Sequence, residues 1–90
     1  MKKYAVFKKD GTYITGNLPE NMETERFCIM CAAAFGAAST AQKEYGDETR
    51  KLVIDGEQGT VIIKPFDKNA LVAYIGTEEE MDEFLKTFKL

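Results

Sequence analysis

Phe27-Cys28-Ile29-Met30-Cys31-Ala32-Ala33-Ala34-Phe35-Gly36-Ala37-Ala38-Ser39-Thr40-Ala41-Gln42 contains no charged residue and lies between Arg26 and Lys43. The flanking residues predict a single long helix. Asn21 is placed to cap it, Glu23 and Glu25 suit the positive end of its dipole, and Gly46 stops it after Tyr45. A helix at the surface of a monomer shows one apolar stripe and one polar face. Here Phe27, Cys31, Ala34, Ala38, Ala41 and Tyr45 trace one stripe, while Ile29, Ala32, Ala33, Gly36 and Ala37 occupy other sides. Such a helix is buried on more than one side, and a single sheet covers only one. Its small residues allow close approach of another backbone. The economical partner is the same helix in a second copy, because most soluble oligomers are twofold homodimers. Gly36 adds to this expectation, since a mid-helix glycine costs about 1 kcal/mol against alanine and usually has a packing reason. The plainer alternative is an alanine-rich helix of high propensity and nothing more.

Outward from this helix the chain is well punctuated. Tyr4-Ala5-Val6-Phe7-Lys8 and Thr12-Tyr13-Ile14-Thr15 flank Asp10-Gly11, which predicts a hairpin of strands over about 3–9 and 12–16, with φ > 0 at both central turn positions. After the helix come Lys51-Leu52-Val53-Ile54-Asp55, Thr60-Val61-Ile62-Ile63-Lys64 and Ala70-Leu71-Val72-Ala73-Tyr74-Ile75, joined by short connections that favour antiparallel neighbours. Thr77 and Glu80 form a capping box for a last helix, on which Met81, Phe84, Leu85 and Phe88 make one apolar stripe. The order is ββαβββα, a single domain over residues 1–90 with one five-stranded antiparallel sheet. Strand 51–55 is apolar on both faces and has no Pro, bulge glycine or inward charge. At a sheet edge it would be open to pairing with its copy, Lys51 opposite Asp55. The ordinary alternative is an interior strand.

Ninety residues with 12 Lys+Arg, 15 Asp+Glu and a net charge of −3 exclude several functions. The cations are scattered, with Lys2, Lys3, Lys8 and Lys9 the only concentration, so nucleic-acid binding is not expected. No apolar run is long enough to insert in a membrane, and the apolar stretch after Met1-Lys2-Lys3 is too short for a secretory signal, so a cytoplasmic location is expected. The absence of histidine removes the commonest general base and metal ligand, and with them triad hydrolysis and histidine-based zinc sites. Cys28-Ile29-Met30-Cys31 has CxxC spacing. It sits inside a helix rather than at its N-terminus, which makes two buried thiols the simpler reading than a redox pair or a Cys₄ zinc shared across a dimer. Glu78, Glu79, Glu80, Asp82 and Glu83 fit the N-terminal dipole of the last helix. Gly56-Glu57-Gln58-Gly59 lacks the Lys-Ser/Thr of a phosphate loop and is a hairpin turn. Arg26 and Arg50 are the only arginines available to a phosphoryl-transfer partner, and nothing around them favours that role over helix-end charges. No catalytic constellation results. The chain is expected to be a non-enzymatic interaction module without cofactor or metal.

The order of elements resembles the Roadblock/dynein light-chain family. So do the local runs Lys9-Asp10-Gly11, Ala32-Ala33-Ala34 with Gly36, Leu52-Val53-Ile54-Asp55-Gly56-Glu57-Gln58-Gly59, Thr60-Val61-Ile62-Ile63 and Asn69-Ala70-Leu71-Val72-Ala73-Tyr74-Ile75. The resemblance implies a profilin-like α/β fold with sheet order 2-1-5-4-3. It also implies a homodimer joined through the third strand into a ten-stranded sheet, and a small Ras-like GTPase or a cargo-motor assembly as partner. The dimer contacts would then be Phe27, Cys31, Ala34 and Ala38 between helices and Leu52, Val53 and Ile54 between sheets. Family members usually carry a helix before the first strand. Here the strand follows Met1 almost at once, which predicts an exposed apolar patch beside helix 77–88. The rival expectation is a PAS-like small-molecule sensor, which shares the strand order and would need a pocket between sheet and helix.

Overall fold

The computed structural model describes residues 2–90. It contains β1 (Lys3–Lys8), β2 (Tyr13–Asn17), α1 (Thr24–Lys43), β3 (Leu52–Asp55), β4 (Thr60–Pro65), β5 (Ala70–Ile75) and α2 (Glu78–Thr87). The strands form one antiparallel sheet in the order β2-β1-β5-β4-β3, as the resemblance implied. Alternation along each strand sends its side chains to opposite faces, so the sheet builds two cores. On one face Ala5, Phe7, Ile63, Leu71 and Ala73 pack against Cys28, Cys31, Ala32 and Phe35 of α1. On the other, Val6, Ile62, Ala70, Val72 and Tyr74 pack against Met81 and Phe84 of α2.

Local chemistry sets the ends of these elements, with two differences from the sequence reading. Asn21 does not cap α1. The N-cap is Glu23, which makes no side-chain cap hydrogen bond, because Pro19-Glu20-Asn21-Met22 closes its own turn through Met22 N–H to the Pro19 carbonyl. The β1–β2 turn has φ > 0 at Gly11 alone, not at both central positions. Gly11 N–H donates to the Lys8 carbonyl and Lys8 N–H to the Thr12 carbonyl, giving a three-residue loop that ends on a left-handed glycine. Asp10 is free to accept from Thr12 N–H (2.9 Å) and Thr12 Oγ1 (2.7 Å), which holds its carboxyl below the ordinary range. The capping box of α2 forms as read: Glu80 N–H donates to Thr77 Oγ1 at 3.1 Å and Thr77 N–H to Glu80 Oε1 at 2.8 Å.

The apolar patch predicted beside α2 is filled. Tyr4, Phe66, Phe84 and Phe88 stack there with ring centroids 4.4–5.8 Å apart, close enough for favourable aromatic pairing. The large exposed apolar side chains lie instead on α1 (Ile29, Met30), β3 (Val53, Ile54), β2 (Tyr13, Ile14) and at Tyr45 and Leu90.

Candidate interaction surface

Two exposed apolar surfaces arise from elements singled out in the sequence. On α1 the sheet takes the Cys28, Cys31, Ala32, Phe35 stripe, spaced i, i+3, i+4, i+7. At 100° per residue the opposite side carries Met30, Ala33, Ala37 and Ala41, all exposed, with Met30 58% accessible and Ile29 on the flank at 49%. At the sheet edge, β3 pairs with β4 alone (Leu52↔Ile63, Val53↔Ile62, Ile54↔Val61, Asp55↔Thr60). Its outer edge has no strand partner. Val53 and Ile54, on opposite faces of this strand, are 47% and 43% exposed. An unpaired edge strand with apolar side chains is a template for another strand.

The sequence-derived contact residues divide accordingly. Leu52 packs half-buried on the α1 side, beside the core there. Phe27, Ala34 and Ala38 share one flank of α1 and are each half-buried. Cys31 does not belong with them. It is 5% exposed within the chain's own core, because the helical stripe containing it is the one that meets the sheet. Gly36 also leaves the expected helix-pair face and lies on the flank opposite Phe27, Ala34 and Ala38. A Cβ added there meets nothing within 4 Å, whereas at Gly11 a Cβ would lie 2.8 Å from Ile29 Cα. Lys51 Nζ pairs with Glu78 of α2, and Asp55 Oδ1 accepts from Thr60 Oγ1 at 3.0 Å.

These contacts form an ionic tie between α2 and the β3–β4 end of the sheet. Glu78 sits between Lys51 and Lys64, the latter 3.6 Å away, and Lys64 reaches Asp82 at 2.8 Å. The bond to Lys51 depresses the Glu78 carboxyl, and that to Lys64 depresses Asp82. Lys64 is raised in turn by Asp82. At the other end of α1, Thr49 Oγ1 donates to Gln42 Oε1 and ties the segment leading into β3 to the helix.

The redox reading of the CxxC pair loses its footing in this geometry. Burial pushes the Cys28 thiol up to about 11 and the Cys31 thiol, which also neighbours Cys28, up to about 12. Neither supplies the thiolate that exchange chemistry uses at neutral pH. Among the described residues no group of three or more Cys, Asp or Glu is placed to hold a metal ion. No helix among them is long and apolar enough to cross a membrane.

A family model described as the Roadblock/LC7 domain matches residues 2–75, which is β1 to β5 with α1. The chain belongs to the Roadblock/LC7 domain family. An uncharacterized protein of Methanocaldococcus jannaschii, MJ0714, is 34% identical over 73 residues, covering 80% of this chain and 62% of that protein. A second from the same organism, MJ0310, matches equally over 80% and 64%. The chain thus spans a little under two thirds of the length of these relatives. Among solved structures, a Roadblock/LC7 domain from Streptomyces avermitilis superposes with a TM-score of 0.79 at 12% identity, over 94% of this chain and 79% of that one. Myxococcus xanthus MglB gives 0.74 at 15%, over 84% and 63%. A structure described as MglB with tetrameric arrangement gives 0.75 at 15%, over 87% and 62%. At these identities the likeness is one of fold.

Proposed function

We propose that this Roadblock/LC7 chain is a non-catalytic homodimeric module that binds a small Ras-like GTPase and scaffolds or regulates it. The observation that carries the dimer is the coincidence of two unpartnered surfaces. These are the apolar outer side of α1 and the open edge of β3. Antiparallel pairing of β3 with its copy would continue the sheet to ten strands and bring the two α1 helices side by side, so one twofold operation would cover both surfaces. Phe27, Ala34, Ala38, Leu52, Val53 and Ile54 are the contacts, with Met30 and Ala37 added and Cys31 withdrawn into the subunit core. The GTPase partner is carried by family membership, and the paired-helix face is its platform. The PAS-like sensor reading is the weaker one, since buried Phe7, Phe35, Ile63 and Leu71 occupy the layer between α1 and the sheet. The work of such a module is in the cytoplasm.

Sedimentation velocity at micromolar concentration tests the dimer, and a binding titration against purified Ras-like GTPases of the source proteome, loaded with GDP or a GTP analogue, tests the partner. The expected result is a dimer that binds one nucleotide state more tightly. A monomer, or a dimer that binds no GTPase in either state, overturns the corresponding half.

A further inference from the structure

Gly36 has no reason inside the chain to be glycine. Its φ is not positive, it sits in the middle of α1, and a Cβ built on it meets nothing within 4 Å. The helix therefore forgoes roughly 1 kcal/mol for space that no residue of this subunit fills. That space is part of an open groove of about 290 Å³ between α1 and the end of the sheet that carries the β1–β2 and β4–β5 turns. Its floor is apolar, formed by Ala32, Phe35 and Leu71 at the margin of the core. Its cations come from two elements: Lys9 from the β1–β2 turn and Lys43 from the last turn of α1. Neither ammonium has a carboxylate within 4 Å among the described residues, where every ion pair belongs to α2. The nearby Asp10 carboxylate is turned into its own loop by Thr12. Thr40 Oγ1 donates to the Gly36 carbonyl at 3.0 Å, so its hydroxyl is folded back and leaves the way over Gly36 clear.

We infer that this groove docks an acidic segment of a partner protein, with one apolar side chain seated over Gly36 against Phe35 and Leu71 and its carboxylates on Lys9 and Lys43. Two cations match one or two carboxylates. A phosphate backbone or an anionic membrane would require a broader basic field than a chain of net charge −3 offers here. The groove belongs to one subunit and lies on the α1 flank away from Phe27, Ala34 and Ala38, so it does not depend on the dimer or on the GTPase reading.

The test is an array of fluorescein-labelled octapeptides, each with acidic residues on both sides of a central Leu, Ile, Val or Ala, titrated by anisotropy. Matched sets replace the acids by lysine or the central residue by serine. Members of the acidic-apolar set are expected to bind, more weakly as salt is raised. Both matched sets, and the double variant Lys9→Glu/Lys43→Glu, are expected to weaken binding at least tenfold. Gly36→Leu should abolish it while leaving the circular dichroism and sedimentation profile intact, and Lys86→Glu on α2 should change nothing. A variant made monomeric by Ala34→Glu should still bind, which separates this groove from the helix-pair surface. No binding by any acidic-apolar member, or binding indifferent to both Gly36→Leu and the lysine reversals, overturns the inference.

Discussion

Replacing Gly36 by alanine should stabilise this protein without changing its oligomeric state. In a helix interior glycine is about 0.8–1.0 kcal/mol less favourable than alanine, through greater backbone freedom in the unfolded chain and weaker shielding of the helix backbone. The gain survives only where the new methyl group is accommodated, and at Gly36 nothing approaches within 4 Å. An unfolding entropy of about 2.1 cal/mol/K per residue gives roughly 0.19 kcal/mol/K for a chain of 90 residues. A gain near 1 kcal/mol therefore raises Tm by about 5 °C. The assay is thermal unfolding by circular dichroism at matched protomer concentration, because Tm of an associating chain depends on concentration, with sedimentation velocity alongside. A lowered Tm, or a shift from dimer to monomer caused by Gly36→Ala, would refute the reasoning. Either result would place Gly36 in contact with the partner helix, the position suggested by sequence alone, and would move the helix-pair face by nearly half a turn of α1.

Other perturbations separate the surface from the core. Ala34→Glu and Ile54→Lys are each expected to yield monomers with unchanged far-ultraviolet spectra, since these side chains are at most half-buried in the subunit; a persistent dimer in sedimentation would relocate the interface. Cys31→Ser should instead destabilise the folded subunit by about 1–3 kcal/mol in urea unfolding, because it exchanges a thiol for a more polar hydroxyl in an apolar core, and an unaffected midpoint would contradict that packing. Gly11→Ala should cost at least about 1–2 kcal/mol, being strained by φ +97° and by Ile29 Cα 2.8 Å from the new Cβ; a neutral result would mean the turn readjusts freely. Glu78, Glu80 and Asp82 all have depressed carboxyls, so each contributes stability that is present above its unfolded value and lost as pH falls through its folded value. Acidification below about pH 4 should therefore loosen α2 first, read as loss of helical signal before sheet signal, and Glu78→Gln/Asp82→Asn should flatten that dependence.

The sequence disclosed most where one local signal decides a structure. Thr77 with Glu80 can satisfy each other at a helix start, and the structure contains that box. Strand boundaries followed from β-branched runs broken by Asp10-Gly11, Gly56-Glu57-Gln58-Gly59 and Phe66-Asp67-Lys68-Asn69, and antiparallel pairing from the shortness of those breaks. The position of β3 at an edge was a different matter. Leu52-Val53-Ile54 is equally apolar in an interior strand, so only resemblance to known folds ordered the sheet. The rotation of α1 was less legible still. Where every side of a helix is apolar or small, periodicity carries little directional information. The stripe through Phe27, Cys31, Ala34 and Ala38 was thus as acceptable as the observed Cys28, Cys31, Ala32, Phe35. Volume decides between them: Phe35 is the one large side chain in the second half of the apolar stretch, and it fills the space over Leu71 and Phe7 only if Cys28 and Cys31 face inward with it.

That rotation also determines what the outer side of α1 is able to do. With Phe35 and both cysteines committed to the sheet, the outer side is left with Met30, Ala33, Ala37 and Ala41, which for the most part project little and present the backbone itself. A surface of this kind gains little from a large complementary side chain and most from a second flat helix at short interaxial distance, where many small dispersion contacts add up. Met30 is the exception, bulky and near the start of α1. In a twofold pair the two Met30 side chains would stand at the two ends of the helix contact rather than at its centre if the helices run antiparallel. The ends of such a pair would then carry flexible apolar side chains free to adjust to a third protein, while the centre stays fixed. On the proposed function, Met30→Ala should accordingly leave the dimer intact and weaken GTPase binding, whereas Ala37→Glu should abolish both. If Met30→Ala instead dissociates the dimer, Met30 lies at the centre of the helix contact and the adjustable ends do not exist.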